Sequence, residues 1–290
     1  MKLQSNPSKP FDVAYQGAAG AFSEEAALRF IGEQPLLLPC RQFEDVFDSV
    51  TAGRALRGVI PIENTLAGSV HDCYDLLRRF ELKIAGETVL HVSHNLISLP
   101  GARFEEIREV RSHPVALAQC ENLFRRHPQL VPIPVYDTAG AVETLMRENT
   151  QHVAAIASIR AAVIHGAYVL LSDIQDQMEN YTRFLLIKPD DGEAPDGWLS
   201  DLKTTVLFKT ADRPGALFEC LRPFAELGID LKKLESRPLR DEPFQYLFYA
   251  DLVGNAAAAP MREALARLKQ TAAFVRVLGS YALQSRSSLG

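Results

Sequence analysis

Gly58-Val59-Ile60-Pro61-Ile62-Glu63-Asn64-Thr65 passes without a break from an apolar, β-forming run to three polar side chains. A strand that ends this way delivers its polar residues to one edge of a sheet, where open α/β sheets bind ligands. Phe11-Asp12-Val13-Ala14-Tyr15 and Leu36-Leu37-Leu38 also read as strands, with helix-compatible stretches between them. Strands alternating with helices imply a parallel sheet covered on both faces. Asn64 then has two open roles. It can cap the helix expected through Asp75 to Phe80, or donate to a carboxylate while accepting from a hydroxyl.

The second informative stretch is Asn180-Tyr181-Thr182-Arg183-Phe184, just before the apolar run Leu185-Leu186-Ile187. In a strand alternate side chains face opposite ways, so Thr182 and Phe184 share a face. Thr182 can donate a proton to a leaving oxygen, and Arg183 can hold a carboxylate in a fork that lysine cannot reproduce. The pair suits an anionic substrate; the alternative is an ordinary polar strand end.

Other junctions point the same way. Gln16-Gly17-Ala18-Ala19-Gly20 reads as a tight loop before a helix starting near Ser23, where backbone N–H groups can approach an anion. Its glycines do not make Gly-x-Gly-x-x-Gly, and no Gly-Lys-Ser/Thr follows, so dinucleotide and P-loop readings fail. Val110 to Cys120 reads as a strand entering a helix with Pro114 in its first turn. Further junctions fall at Asp137-Thr138-Ala139 and at Val153 to Ser158. Lys83 to Leu99 reads as one or two strands; its His91-Val92-Ser93-His94 lacks the Glu of a zinc helix, so hydrogen bonding rather than metal binding is expected.

The 290 residues suffice for about two domains. A formal charge of −5 and the lack of a basic run exclude a general attraction for nucleic acid. No stretch is apolar and long enough for a membrane span, and no signal-peptide segment opens the chain, so a cytoplasmic location is expected. Cys40, Cys73, Cys120 and Cys220 form no Cys-x-x-Cys pair and read as reduced thiols.

From Pro189 to Lys203 the composition becomes that of a linker. Beyond it, strands at Thr205–Phe208, Ile229–Ser236, Gln245–Leu252 and Phe274–Leu278, with helices at Pro214–Leu227 and Met261–Leu268, give the order βαββαβ of a ferredoxin-like fold. A small sheet with one helical face leaves its other face free to pair with a copy of itself.

Taken together, the chain from about Ala14 to Tyr281 resembles a monofunctional prephenate dehydratase with a C-terminal ACT regulatory domain. The resemblance rests on Tyr15-Gln16-Gly17 through Gly20-Ala21-Phe22-Ser23-Glu24, Pro61 to Thr65, Ser112-His113-Pro114, Asp137-Thr138-Ala139, Ala154-Ala155-Ile156-Ala157 and Asn180 to Phe184. Gly215-Ala216-Leu217 and Glu235-Ser236-Arg237-Pro238 look like the ACT domain's phenylalanine-binding motifs. It implies an α/β fold with a type II periplasmic-binding-protein-like, two-subdomain catalytic domain over residues 11–188, a linker over 189–203 and an ACT domain over 204–283.

The same resemblance implies loss of water and carbon dioxide from prephenate, with no cofactor and no metal. Thr182 is then the essential proton donor. Arg183, Phe184, the backbone at Ala18 and Ala21, and the side chains of Asn64, Thr65, Ser112 and Gln119 form the substrate pocket. L-Phenylalanine is the implied effector, and a homodimer or homotetramer the implied assembly. Val115 stands where relatives often carry Gln, and Thr65 where many carry Ser, which keeps the hydroxyl. No chorismate mutase domain is expected before Ala14, since about a dozen residues cannot form one. Arogenate dehydratase and a non-catalytic amino-acid sensor are the alternatives; a sensor would not need Thr182 beside Arg183.

Overall fold

The computed structural model describes residues 9–32, 34–192, 202–239, 242 and 244–283. Most of the expected linker lies outside the described residues. Two compact units result, one of residues up to 70 with 88–184, the other of 71–87 with 185 onward.

In chain order the elements begin with β1 (Phe11–Gln16), α1 (Phe22–Ile31), β2 (Leu37–Cys40), α2 (Phe43–Thr51), β3 (Ala55–Asn64), β4 (Gly68–Ser69), α3 (His71–Arg79) and β5 (Leu82–His91). There follow β6 (Asn95–Ser98), β7 (Glu109–Ser112), α4 (Pro114–Ala118), α5 (Glu121–Arg126), β8 (Val131–Pro134), α6 (Thr138–Glu148), β9 (Val153–Ala157), α7 (Ile159–His165) and β10 (Tyr168–Leu171). The last stretch holds β11 (Tyr181–Pro189), β12 (Leu202–Lys209), α8 (Ala216–Glu226), β13 (Leu231–Pro238), β14 (Tyr246–Val253), α9 (Ala259–Thr271) and β15 (Phe274–Ala282).

The first unit contains two sheets. One has the order β2-β1-β3-β11-β5, in which β5 and β11 bring residues 88–91 and 181–184 to this unit. The other runs β10-β6-β9-β7-β8. Strand β9 shows why a short apolar run folds here: Val153, Ala155 and Ala157 pack against α6, while Ala154 and Ile156 pack against α4 and α5. The expected purely parallel sheet is corrected. β1, β2 and β3 are parallel, but β6 runs against both β9 and β10. Apolar patterning sets which residues are buried, whereas strand direction follows from where the chain re-enters each sheet.

In the second unit the sheet order β13-β14-β12-β15 is antiparallel throughout and realises the βαββαβ sequence. One face packs Val206, Phe208, Ala250 and Leu252 against α8 and α9. The other face is not free, as the sequence reading had it: residues 71–87 cover it. Tyr249 donates to the Tyr74 carbonyl at 2.6 Å, and Arg276 donates to that of Leu77. Lys203, 4 % exposed, lies 2.5 Å from Glu87 and 3.5 Å from Asp251, whose other oxygen accepts from Thr205. All four cysteines are free and buried, and burial pushes their thiols up, Cys120 to about 12.

Removing one charge from a buried cluster leaves the others uncompensated. Lys203→Met is therefore expected to lower unfolding stability by about 3–5 kcal/mol in urea denaturation. An unchanged denaturation midpoint would show that the cluster does not hold residues 71–87 to the sheet.

Candidate active site

Strand β3 ends at Asn64, and the turn after it fixes that side chain. The backbone N–H groups of Leu66 and Ala67 donate to Asn64 Oδ1 at 3.0 and 2.8 Å. Its Nδ2 must then point to acceptors: the Tyr181 carbonyl at 3.1 Å, Asn180 Oδ1 at 2.7 Å and Thr182 Oγ1 at 2.9 Å. Asn64 therefore does not cap the next helix, which starts only at His71; it closes the turn after β3. It makes Thr182 an acceptor, which leaves the hydroxyl proton free to be donated elsewhere. Thr182 itself keeps 9 % exposure.

Gln119, at the end of α4, joins the same cluster. Its Nε2 donates to Asn64 Oδ1 at 3.4 Å, and its Oε1 accepts from Asn180 Nδ2 at 3.1 Å. Thr65 ties the strands together without entering the cluster: its Oγ1 accepts from the Tyr181 N–H at 2.9 Å and donates to the Glu179 carbonyl at 3.1 Å. Among the expected pocket residues, then, Thr182, Asn64 and Gln119 come together.

The rest are held elsewhere. Alternation puts Arg183 on the opposite face of β11 from Thr182, where it pairs with Glu63 at 3.2 Å. Phe184, on the Thr182 face, is a core residue at 2 % exposure. Ser112 is fully buried and donates to the Ile156 carbonyl at 2.6 Å. In the Gly17 loop, the N–H groups of Ala18 and Gly20 donate to Asp137 and Glu24, and that of Ala21 to the Ala18 carbonyl. Gly20 is required by packing, because at φ +92° an added Cβ would lie 2.5 Å from Ala161 Cα in α7. A pocket of about 440 Å³ opens beside Ala18, Arg111, Tyr136 and Asp137, but it shares no lining residue with the Thr182 cluster.

Two members of the cluster were missed as site residues. Asn180 is fully buried and bridges Asn64 and Gln119. His94, 3 % exposed, lies with Nε2 2.8 Å from Gln119 Oε1 and its ring edge-on to Phe22. The sequence signal was there: His94 was expected to be satisfied by hydrogen bonds, and two amides cannot be buried without partners. His91 bonds the Met178 carbonyl at 2.7 Å.

In the second unit, Gly215 is exposed at the N-cap of α8 with φ +79°, and Ala216 and Leu217 open the helix. Glu235, Ser236, Arg237 and Pro238 lie on β13, an edge strand. Arg237 pairs with Asp75 of α3 at 3.4 Å, and Glu235 stands 3.8 Å from both His71 and Lys233.

A family model described as prephenate dehydratase matches residues 13–192. Arogenate dehydratase/prephenate dehydratase 2 of Arabidopsis thaliana, a chloroplastic protein, is 43 % identical over 278 residues, covering 93 % of this chain and 72 % of its own. A solved prephenate dehydratase from Arthrobacter aurescens, in complex with L-Phe, has TM-score 0.85 at 31 % identity, covering 93 % of this chain and 90 % of that one. The solved structure of GqqA, described as a quorum-quenching acylase, also has TM-score 0.85, at 32 % identity with 94 % and 98 % coverage. The family model and the names of these relatives place the chain among lyases of the dehydratase class. The chain belongs to the prephenate dehydratase family.

Burial holds the His94 pKa below its ordinary value of 6.5, against a smaller upward pull from its bond to Gln119; burial also lowers His113. Below that ordinary value the unfolded chain takes up protons that the folded chain resists, so stability is lost as the pH is lowered. His94→Leu is expected to flatten this fall in denaturation curves taken between about pH 7 and 5. A slope identical to that of the parent would place the acid sensitivity elsewhere.

Proposed function

We propose that the chain is a prephenate dehydratase, converting prephenate to phenylpyruvate, water and carbon dioxide in L-phenylalanine biosynthesis. The supporting observation is the 2.9 Å hydrogen bond from Asn64 Nδ2 to Thr182 Oγ1, which makes Oγ1 an acceptor there and leaves its proton for another partner. As that proton reaches the ring hydroxyl, the C–O bond breaks and water leaves. The bond to the ring carboxylate breaks with it, carbon dioxide departs, and the electron pair completes the aromatic ring. Aromatisation drives the reaction, so the protein mainly positions a proton donor and the substrate. A threonine hydroxyl is a poor acid alone, and its reactivity rests on the amides around it. Oγ1 recovers its proton from water.

Gln119 is the side chain ready to contact substrate beside Thr182, because its second Nε2 hydrogen has no acceptor among the described residues, whereas both ends of the Asn64 amide are already bonded. Arg183 reaches a substrate carboxylate only if its pair with Glu63 opens, and Ala18 only if its N–H leaves Asp137. The relative named an acylase does not lead us to an acyl-transfer reading. That chemistry requires a base beside the nucleophile, whereas the side chain on Thr182 Oγ1 is an amide donor. Arogenate is the second reading, favoured by the 43 % identical relative that carries both names.

The same proposal extends to architecture and control. The two sheets of the first unit support a type II periplasmic-binding-protein-like catalytic domain. The βαββαβ sheet supports an ACT domain that binds L-phenylalanine at Gly215 to Leu217 and Glu235 to Pro238, consistent with the L-Phe complex of the Arthrobacter aurescens protein. Edge strand β13, with Leu231 and Leu234 exposed, would join copies into a dimer or tetramer. An effector inhibits only by favouring a less active state.

Purified protein assayed with prephenate and arogenate is expected to turn over prephenate, and Thr182→Ala to lose at least about a hundredfold in kcat, the scale of losing a positioned acid. Thr182→Ser, which keeps the hydroxyl, should retain most of it. A folded Thr182→Ala enzyme of parental kcat removes Thr182 from the mechanism; turnover of arogenate alone selects the second reading. L-Phenylalanine should inhibit the full chain, and Gly215→Val should raise the half-inhibiting concentration about tenfold or more, because a branched residue is strained at positive φ. Equal half-inhibiting concentrations would place the effector elsewhere.

A further inference from the structure

The hydrogen bonds around Thr182 have a sense that is fixed from the backbone outward. Leu66 and Ala67 N–H groups can only donate, so Asn64 Oδ1 can only accept. Gln119 Nε2 therefore donates to it, and the other end of that amide, Oε1, faces Asn180 Nδ2 and His94 Nε2. Two donors converge on Oε1, and His94 must carry its proton on Nε2. Its Nδ1 is buried without a partner among the described residues. The His94 backbone N–H is itself held by Gln175 Oε1 at 2.9 Å. Gln119 Nε2 has a second hydrogen that no described residue accepts, on a side chain that is only half-buried.

We infer that His94 is a positioning residue for the reaction: it holds Gln119 so that the amide N–H₂ end, not the oxygen, faces the substrate. This rests on the prephenate dehydratase reading above. Without His94, Oε1 keeps only the 3.1 Å bond from Asn180 and Nε2 only its long 3.4 Å bond to Asn64, so the amide is held less firmly and turns more readily to present an acceptor, which repels a substrate carboxylate where a donor would bind it. The imidazole serves as a neutral donor of fixed tautomer, and burial, which disfavours the charged ring, keeps it so. An imidazolium would add an N–H at Nδ1 with nothing to receive it.

The test is a double-mutant cycle in the full-length protein, measuring kcat/KM for prephenate in the parent, His94→Leu, His94→Gln, Gln119→Leu and His94→Leu/Gln119→Leu. Loss of one buried hydrogen bond sets the expected fall for His94→Leu at about tenfold. His94→Gln, which returns an N–H donor close to the Nε2 position, should recover most of it. In the Gln119→Leu background the His94→Leu change should cost less than about twofold, since a residue acting through Gln119 has nothing left to position. Equal losses in both backgrounds, or a folded His94→Gln as impaired as His94→Leu, would overturn the inference.

A measurement independent of turnover separates this from failure of the functional reading. In ¹⁵N spectra of histidine-labelled protein, His94 is expected as the neutral Nε2–H tautomer at pH 7, changing when Gln119→Leu is introduced. An Nδ1–H tautomer, or a spectrum unaffected by Gln119→Leu, overturns the proposal even if the parent proves inactive on prephenate. An inactive parent with the expected spectra overturns the function but leaves His94 as the anchor of Gln119.

Discussion

Asn64 carries one end of its amide on the turn that follows β3 and the other on β11. That single side chain cannot rotate without breaking hydrogen bonds to backbone groups on two segments far apart in sequence. Everything polar around it inherits its orientation: Thr182 must accept, Gln119 must donate, Asn180 must do both, and His94 must donate to what remains. A hydroxyl held as an acceptor, with its proton left for another partner, follows from backbone geometry rather than from any acidic or basic neighbour.

Such a network stabilises only when it is complete, because a buried polar group that loses its partner bears its full desolvation penalty. The same physics operates in the second unit. There Lys203 is shared between Glu87 and Asp251 at the buried face of the sheet, with Thr205 donating to Asp251 and bonded to Tyr281. The two clusters differ in kind. The charged one holds a structural face together, whereas the amide cluster leaves a hydroxyl proton and an amide proton without an acceptor among the described residues.

Much of this was legible in the sequence, and the reasons for the rest are specific. A strand ending in Glu63-Asn64-Thr65 and the βαββαβ order of the C-terminal residues were readable because apolar period and turn residues are local signals. Alternation likewise placed Thr182 and Phe184 on one face of β11, but it could not tell that Phe184 would be walled into the core. Arg183 read as a carboxylate clamp because its type fits; its partner Glu63 belongs to a different motif, Pro61 to Thr65, and their pairing depends on β3 lying beside β11. Ser112 was misjudged as a pocket hydroxyl for a similar reason, since its carbonyl partner Ile156 lies on the neighbouring strand β9. The assignment of residues 71–87 to the C-terminal sheet rests on Tyr74, Leu77 and Glu87 meeting residues more than a hundred positions away, which no local pattern records.

The direction of one hydrogen bond decides whether Thr182 can serve as a proton donor, and neutron diffraction from deuterium-exchanged crystals with an unreactive prephenate analogue bound would observe it. Both Asn64 Nδ2 deuterons are expected to point toward acceptors, one of them on Thr182 Oγ1, and the Thr182 deuteron toward the oxygen that stands for the leaving hydroxyl. A Thr182 deuteron pointing into the protein, toward Asn64 or a backbone carbonyl, would contradict it.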